Sequence, residues 1–173
     1  MVDLREKVVQ DRGIIAKIQS YIPGFSGYRA KEDLRAADNM LRLQLADRLA
    51  AVRADIEACR AAMVEDGQIE GLDRVGTLIN KFKAVEGEVR HAAQGYSGIS
   101  AKIRVGEAEL SKLYEYDLGL LTAAAAMGED AAKLKAVTDG AAIRDGLSRL
   151  SAGIDGFAAT FRKRMQVVTG TEV

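Results

Sequence analysis

KEDLRAADNMLRLQLADRLAAVRADIEACRAAMVED, residues 31–66, sets Leu34, Ala37, Leu41, Leu45, Leu49, Val52, Ile56, Cys59 and Met63 at steps of three or four. Steps of that size keep side chains on one face of a straight α-helix, whose period is about 3.6 residues. The stretch predicts one helix with a single buried stripe, on the order of 50 Å long at about 1.5 Å per residue. Glu65-Asp66-Gly67-Gln68 supplies a glycine stop. Beyond it Ile69, Leu72, Val75, Ile79, Phe82, Val85 and Val89 resume helical spacing to about Ala93. Residues 31–94 thus read as an antiparallel helical hairpin.

The rest of the chain repeats this plan. Glu107 and Glu109 stand where a first helical turn favours acids, ahead of Leu110, Leu113, Tyr114, Leu120, Leu121, Ala124 and Met127. Gly128-Glu129-Asp130 reads as the next turn. The last helix then carries Leu147, Leu150, Ile154, Phe157, Phe161, Met165 and Val168 on one stripe, and Arg162, Lys163 and Arg164 read as a solvated end near its negative dipole. Residues 107–168 form the second hairpin. Before the first, residues 3–21 predict a helix with Leu4, Val8, Ile15, Ile18 and Ile22 on a stripe that Asp11 or Arg12 interrupts. Pro23, the only proline, separates this segment from the first hairpin. No strand-like alternation persists. The expected fold is all-α: an elongated antiparallel bundle of two long hairpins plus an N-terminal helix over residues 1–22, one domain across 1–173.

Composition limits the function. Lys+Arg and Asp+Glu both number 25 in 173 residues, so no overall field recruits nucleic acid or an anionic membrane. Aromatic residues are 5% against 48% hydrophobic, with no Trp, which leaves Leu, Ile, Val and Ala to fill the core. Cys59 is the only cysteine, which rules out an intramolecular disulfide and fits a buried thiol in a reducing compartment. The charged start, Asp3 to Lys7, does not read as a signal peptide, and the uncharged run Leu118–Gly128 is too short for a bilayer span. A cytoplasmic location is expected.

Four features carry candidate chemistry. Gly24 to Lys31 places backbone amides, Ser26 and Arg29 ahead of a helix, as an anion pocket would, but Glu32 and Asp33 oppose a phosphate, and a turn that docks Phe25 and Tyr28 on the bundle explains it better. Gly95-Tyr96-Ser97-Gly98 echoes Gly24-Phe25-Ser26-Gly27, with Tyr96 and Ser97 in the matching places, and raises an internal repeat. Glu88-Val89-Arg90-His91 puts a carboxylate and an imidazole on one helical face, as di-iron bundles do. His91 is the only histidine, so such a metal site could be completed only between subunits. Asp117 falls on the apolar stripe beside Tyr114, and Asp38 lies beside Ala37 and Leu41. Both acids are expected to be buried and to need a partner: a loop amide, a tyrosine hydroxyl or an arginine. A register-fixing polar network explains them better than acid–base chemistry.

Ile22-Pro23-Gly24-Phe25-Ser26-Gly27-Tyr28, Gly95-Tyr96-Ser97-Gly98 and Leu113-Tyr114-Glu115-Tyr116-Asp117-Leu118 together resemble a family of small uncharacterised helical proteins of bacteria and archaea. That family has an I-P-G-[FY]-x-G-Y opening, a G-Y-S-G loop and an L-Y-E-[FY]-D-L helix. The resemblance covers roughly residues 20–125, and the chain departs from the family in its Ala- and Gly-rich last helix, whose packing the resemblance leaves open. It implies no activity and no cofactor, and it implies that the two loops and Asp117 form one composite feature.

With no complete catalytic set, the first expectation is a non-enzymatic interaction or scaffold protein with a protein partner or self-association and no nucleic acid. The second is a ligand- or metal-binding bundle built on the inward acids or on Glu88 and His91. A weaker third is membrane-surface binding by residues 1–22.

Overall fold

A computed structural model describes residues 4–28, 31–92 and 106–169. Five helices are arranged in the order α1 Leu4–Tyr21, α2 Lys31–Glu65, α3 Leu72–His91, α4 Glu107–Lys135 and α5 Gly140–Thr169. The all-α expectation holds: helix packs on helix, with no strand among the described residues. No described helix is long and apolar enough to cross a membrane.

The 35 residues of α2 contain neither glycine nor proline, so nothing interrupts the hydrogen-bond ladder. Its predicted stripe is buried from Ala37 through Leu41, Leu45, Leu49, Val52, Ile56, Cys59 and Met63, with Leu34 half-buried at its start. The helix stops at Gly67, whose φ of 71° is left-handed. There the Gln68 amide donates to Met63 O (2.8 Å) and the Gly67 amide to Val64 O (3.1 Å), a Schellman closure of the last turn. Ile69, read as the first apolar position of α3, lies in that turn and is 78% exposed. The stripe of α3 starts at Val75.

One predicted boundary is displaced. Gly128-Glu129-Asp130 is not a turn: α4 runs through it to Lys135, and the chain reverses at 136–139. Ala131 and Leu134 continue the buried stripe, and their burial outweighs a single interior glycine, which costs only about 1 kcal/mol relative to alanine. The true start of α5 is marked by Asp139, whose Oδ2 accepts from the Ala142 amide at 2.9 Å as an N-cap. Because a Cβ on Gly128 would meet nothing within 4 Å, Gly128→Ala should raise unfolding free energy by about 0.5–1 kcal/mol in chemical denaturation.

Ion pairs define how the hairpins stack. Glu70–Arg144, Lys81–Asp155 and Glu88–Arg162 share one sequence offset, so α3 and α5 run parallel. Arg164 touches both Asp38 and Asp117 near the starts of α2 and α4, while Asp55 meets Lys135 further along both (2.7 Å), so these two are also parallel. The result is a ring, α2–α3–α5–α4, with each hairpin antiparallel internally. Glycines let α5 lie close on α4: a Cβ at Gly146 would come within 2.9 Å of Leu134 Cδ1, and one at Gly153 within 3.0 Å of Met127 Cγ.

α1 packs outside this ring, on α4. Asp11 accepts from Ser111 Oγ near the start of α4 (2.9 Å), and Arg48 Nη2 on α2 donates to Tyr21 O (3.1 Å), so α1 runs in the same direction as both. Val8, expected on the buried stripe, is 46% exposed, and the stripe is carried instead by Ile14, Ile15 and Ile18. Asp11 and Ser111 mark where α1 is pinned to α4, and Val8 and Val9 before them face outward.

Candidate functional site

Residues 22–28 return from the end of α1 along α4 toward the start of α2. Ile22, Phe25 and Tyr28, spaced by three, are all buried, with exposures of 2%, 1% and 3%. Gly24 and Gly27 take left-handed φ angles of 91° and 90°, which permit the tight path between these anchors. Gln19 Nε2 donates to Phe25 O at 2.8 Å, and the rings of Phe25 and Tyr28 meet edge to face. The Tyr28 amide donates to Tyr114 Oη at 3.0 Å, tying this strap to α4.

Beneath the strap lies a buried charge network. Tyr28 Oη donates to Asp117 Oδ2, and Arg164 Nε donates to Asp117 Oδ1 at 2.5 Å. The same guanidinium donates from Nη2 to Tyr28 Oη (3.2 Å) and brings Nη1 to 2.7 Å from Asp38 Oδ1. That last approach is off-axis, so Asp38 Oδ1 gains a Coulombic contact without an aligned hydrogen bond. Asp38 Oδ2 accepts from Arg42 Nε at 2.8 Å. Arg42 then reaches the end of α3, where Nη1 donates to Val89 O and Arg90 O, both at 3.3 Å. A cation on these last carbonyls satisfies orphaned acceptors and opposes the negative end of the helix dipole. Two aspartates, two arginines and one phenol thus join α2, α3, α4, α5 and the strap, with no net charge.

Asp117 and Arg164 are wholly buried, Arg42 and Asp38 nearly so. Burial holds the Asp117 carboxyl above its ordinary value, against the opposing pull of Arg164 and of the Tyr28 hydroxyl. Burial also holds the Tyr28 phenol well above its ordinary range, reinforced by the Asp117 charge, so Tyr28 is a donor throughout the neutral range. For Arg164, desolvation opposes the charge, but Asp117, Tyr28 and Asp38 outweigh it and the guanidinium stays ionised. Both Asp117 oxygens accept, one from Arg164 Nε and one from the Tyr28 hydroxyl, as a carboxylate facing a guanidinium does. Burial without a partner raises the Cys59 thiol as well.

Of the candidate residues, Phe25, Tyr28, Tyr114, Asp38 and Asp117 come together here, and Asp117 has two of the partners expected of it, a tyrosine hydroxyl and an arginine. Ser26 is exposed on the strap. Arg29, Tyr96 and Ser97 lie outside the described residues, as does the echo of the strap at 95–98. Glu88 is held by two hydrogen bonds from Arg162, at 2.9 and 3.0 Å, and His91 is exposed at the end of α3. Among the described residues no three His, Cys, Asp or Glu side chains group as a metal would require.

Sequence reading missed both arginines, and for Arg164 it is corrected outright: this residue is not a solvated helix end but fully buried. The signal was present, because Arg164 stands three residues after Phe161 and four before Val168 on the buried stripe, whereas Arg162 and Lys163 do not share that face. Arg42 stands four residues after Asp38 in the same way.

An open cleft of about 1030 Å³ lies at the opposite end, between the starts of α3 and α5, with Met63, Leu78, Ile143 and Leu147 in its lining. None of the candidate residues lines it. No family model, curated protein or solved structure matches the chain.

Proposed function

We propose that this chain is a non-enzymatic helical scaffold that acts through contacts with other protein chains, a second copy of itself included. The observation that supports this reading is the closure of the charge network. Both buried carboxylates are engaged by arginines, and the whole is neutral and buried, so neither acid is placed to take a proton from a substrate or to hold a metal. A structural assignment of the acids leaves the helical surfaces as the working part of the molecule.

Native mass spectrometry of the protein purified gently from its own cells tests this. A homo-oligomer or one discrete protein complex is expected, unchanged by Asp117→Asn. A small ligand or metal bound to the wild type and lost from that variant would overturn the reading, and so would a bare monomer whose crosslinking in cells finds no partner.

A further inference from the structure

The strap and α1 are attached to the ring in an uneven way. Among the described side chains of α1, Ile18 alone is fully buried, and Val8 and Val9 are 46% and 68% exposed. Deep burial is concentrated after it, at Ile22, Phe25 and Tyr28. Segments with few buried contacts open at lower free energy than a core does, often as cooperative units.

The electrostatics favour the same division. Asp38 and Arg42 belong to α2, Asp117 to α4 and Arg164 to α5, so the charges of the network balance within the ring alone. Tyr28 adds a neutral phenol. Lifting residues 4–28 away therefore separates no buried ion pair, and the carboxylate oxygen that Tyr28 served becomes reachable by water. Lifting α5, by contrast, would strip Arg164 from two acids at once, which is far more costly.

We propose that residues 4–28 form a cap that opens as one unit while α2 to α5 stay folded, with Tyr28 as its latch. Opening breaks the Tyr28 bonds to Asp117, Arg164 and Tyr114, the Asp11–Ser111 bond and the Arg48–Tyr21 contact. It uncovers the face of α4 that bears Tyr114 and Asp117. This inference does not depend on the scaffold reading.

Native-state hydrogen exchange on the full chain, under conditions where closing outruns exchange, tests it with two variants. Tyr28→Phe removes the hydroxyl's bonds to Asp117 and from Arg164, both lost in cap opening and in global unfolding alike, so amides of 4–28 should exchange about tenfold faster or more. Val75→Ala weakens α3 in the ring, where Val75 is fully buried, and stays folded in the cap-open form. It should speed the most protected amides of α3 to α5 about tenfold or more and leave 4–28 unchanged. If Val75→Ala speeds 4–28 by the same factor as the ring, the cap opens only with the whole molecule and the proposal fails. If Tyr28→Phe leaves 4–28 unchanged, Tyr28 is not the latch.

Discussion

Arg164→Met should lower unfolding free energy by about 3–5 kcal/mol at neutral pH, read from the urea midpoint, the usual cost of removing one partner from a buried ion pair. Methionine fills much of the arginine stem's volume, so packing loss adds little. The loss comes from Asp117 and Asp38, which both face this guanidinium and have no other cation in common. pH then separates this cause from a packing defect. Burial already raises the Asp117 carboxyl in the wild type, and without Arg164 the rise is larger. Between the unfolded and folded values the native variant binds more protons than the unfolded chain, so its stability falls as pH rises through that window. Conversely, the deficit relative to wild type should shrink as pH falls into the carboxylate range. A deficit independent of pH would mean that Asp117 is not what Arg164 supports.

Gly27→Ala is expected to cost about 2–4 kcal/mol, the sum of a left-handed backbone for a residue with a Cβ and an overlap in the core. The added Cβ would fall 2.7 Å from Tyr114 Oη, the oxygen that accepts from the Tyr28 amide. Relief of the overlap would move Tyr114 away from that amide and leave a buried donor unpaired. Gly24→Ala is the internal control. Its φ is 91°, close to the 90° of Gly27, but a Cβ there meets nothing within 4 Å. It should cost about 1–2 kcal/mol, from backbone strain alone. Equal losses in thermal and chemical denaturation for the two variants would show that the contact with Tyr114 contributes nothing.

Helix periodicity made α2, α3 and the stripe of α5 readable because each buries one face along its whole length. It failed at Gly128, where glycine with two acids after it imitates a helix end. The continuation through Ala131 and Leu134 was the better guide, and Asp139 was the cap to look for. Asp117 was legible because a carboxylate on an apolar stripe demands an explanation. Its partner Arg164 was hidden inside a basic triplet whose other two members do face water. Two inward acids imply inward cations, and Arg42 and Arg164 stand on the same buried stripes. What periodicity could not supply was the pairing of faces. A stripe says which side of a helix is buried and not against which neighbour, so the parallel stacking of the hairpins and the return of residues 22–28 along α4 needed the structure.

The wide separation of the network's members along the chain also orders events in time. The α2–α3 hairpin can close as soon as both helices exist, with Arg42 already on the end of α3 and paired with Asp38. Arg164 lies 47 residues after Asp117, so the contact that neutralises Asp117 waits for nearly all of α5. During synthesis on the ribosome the α2–α3 hairpin can assemble well before the fifth helix is made, and Asp117 has no buried cation to meet until then. Loop-closure entropy makes so distant a contact slow to form. Because Arg164 lies near the end of α5, Asp117 is among the last buried groups whose partner becomes available as the chain is made.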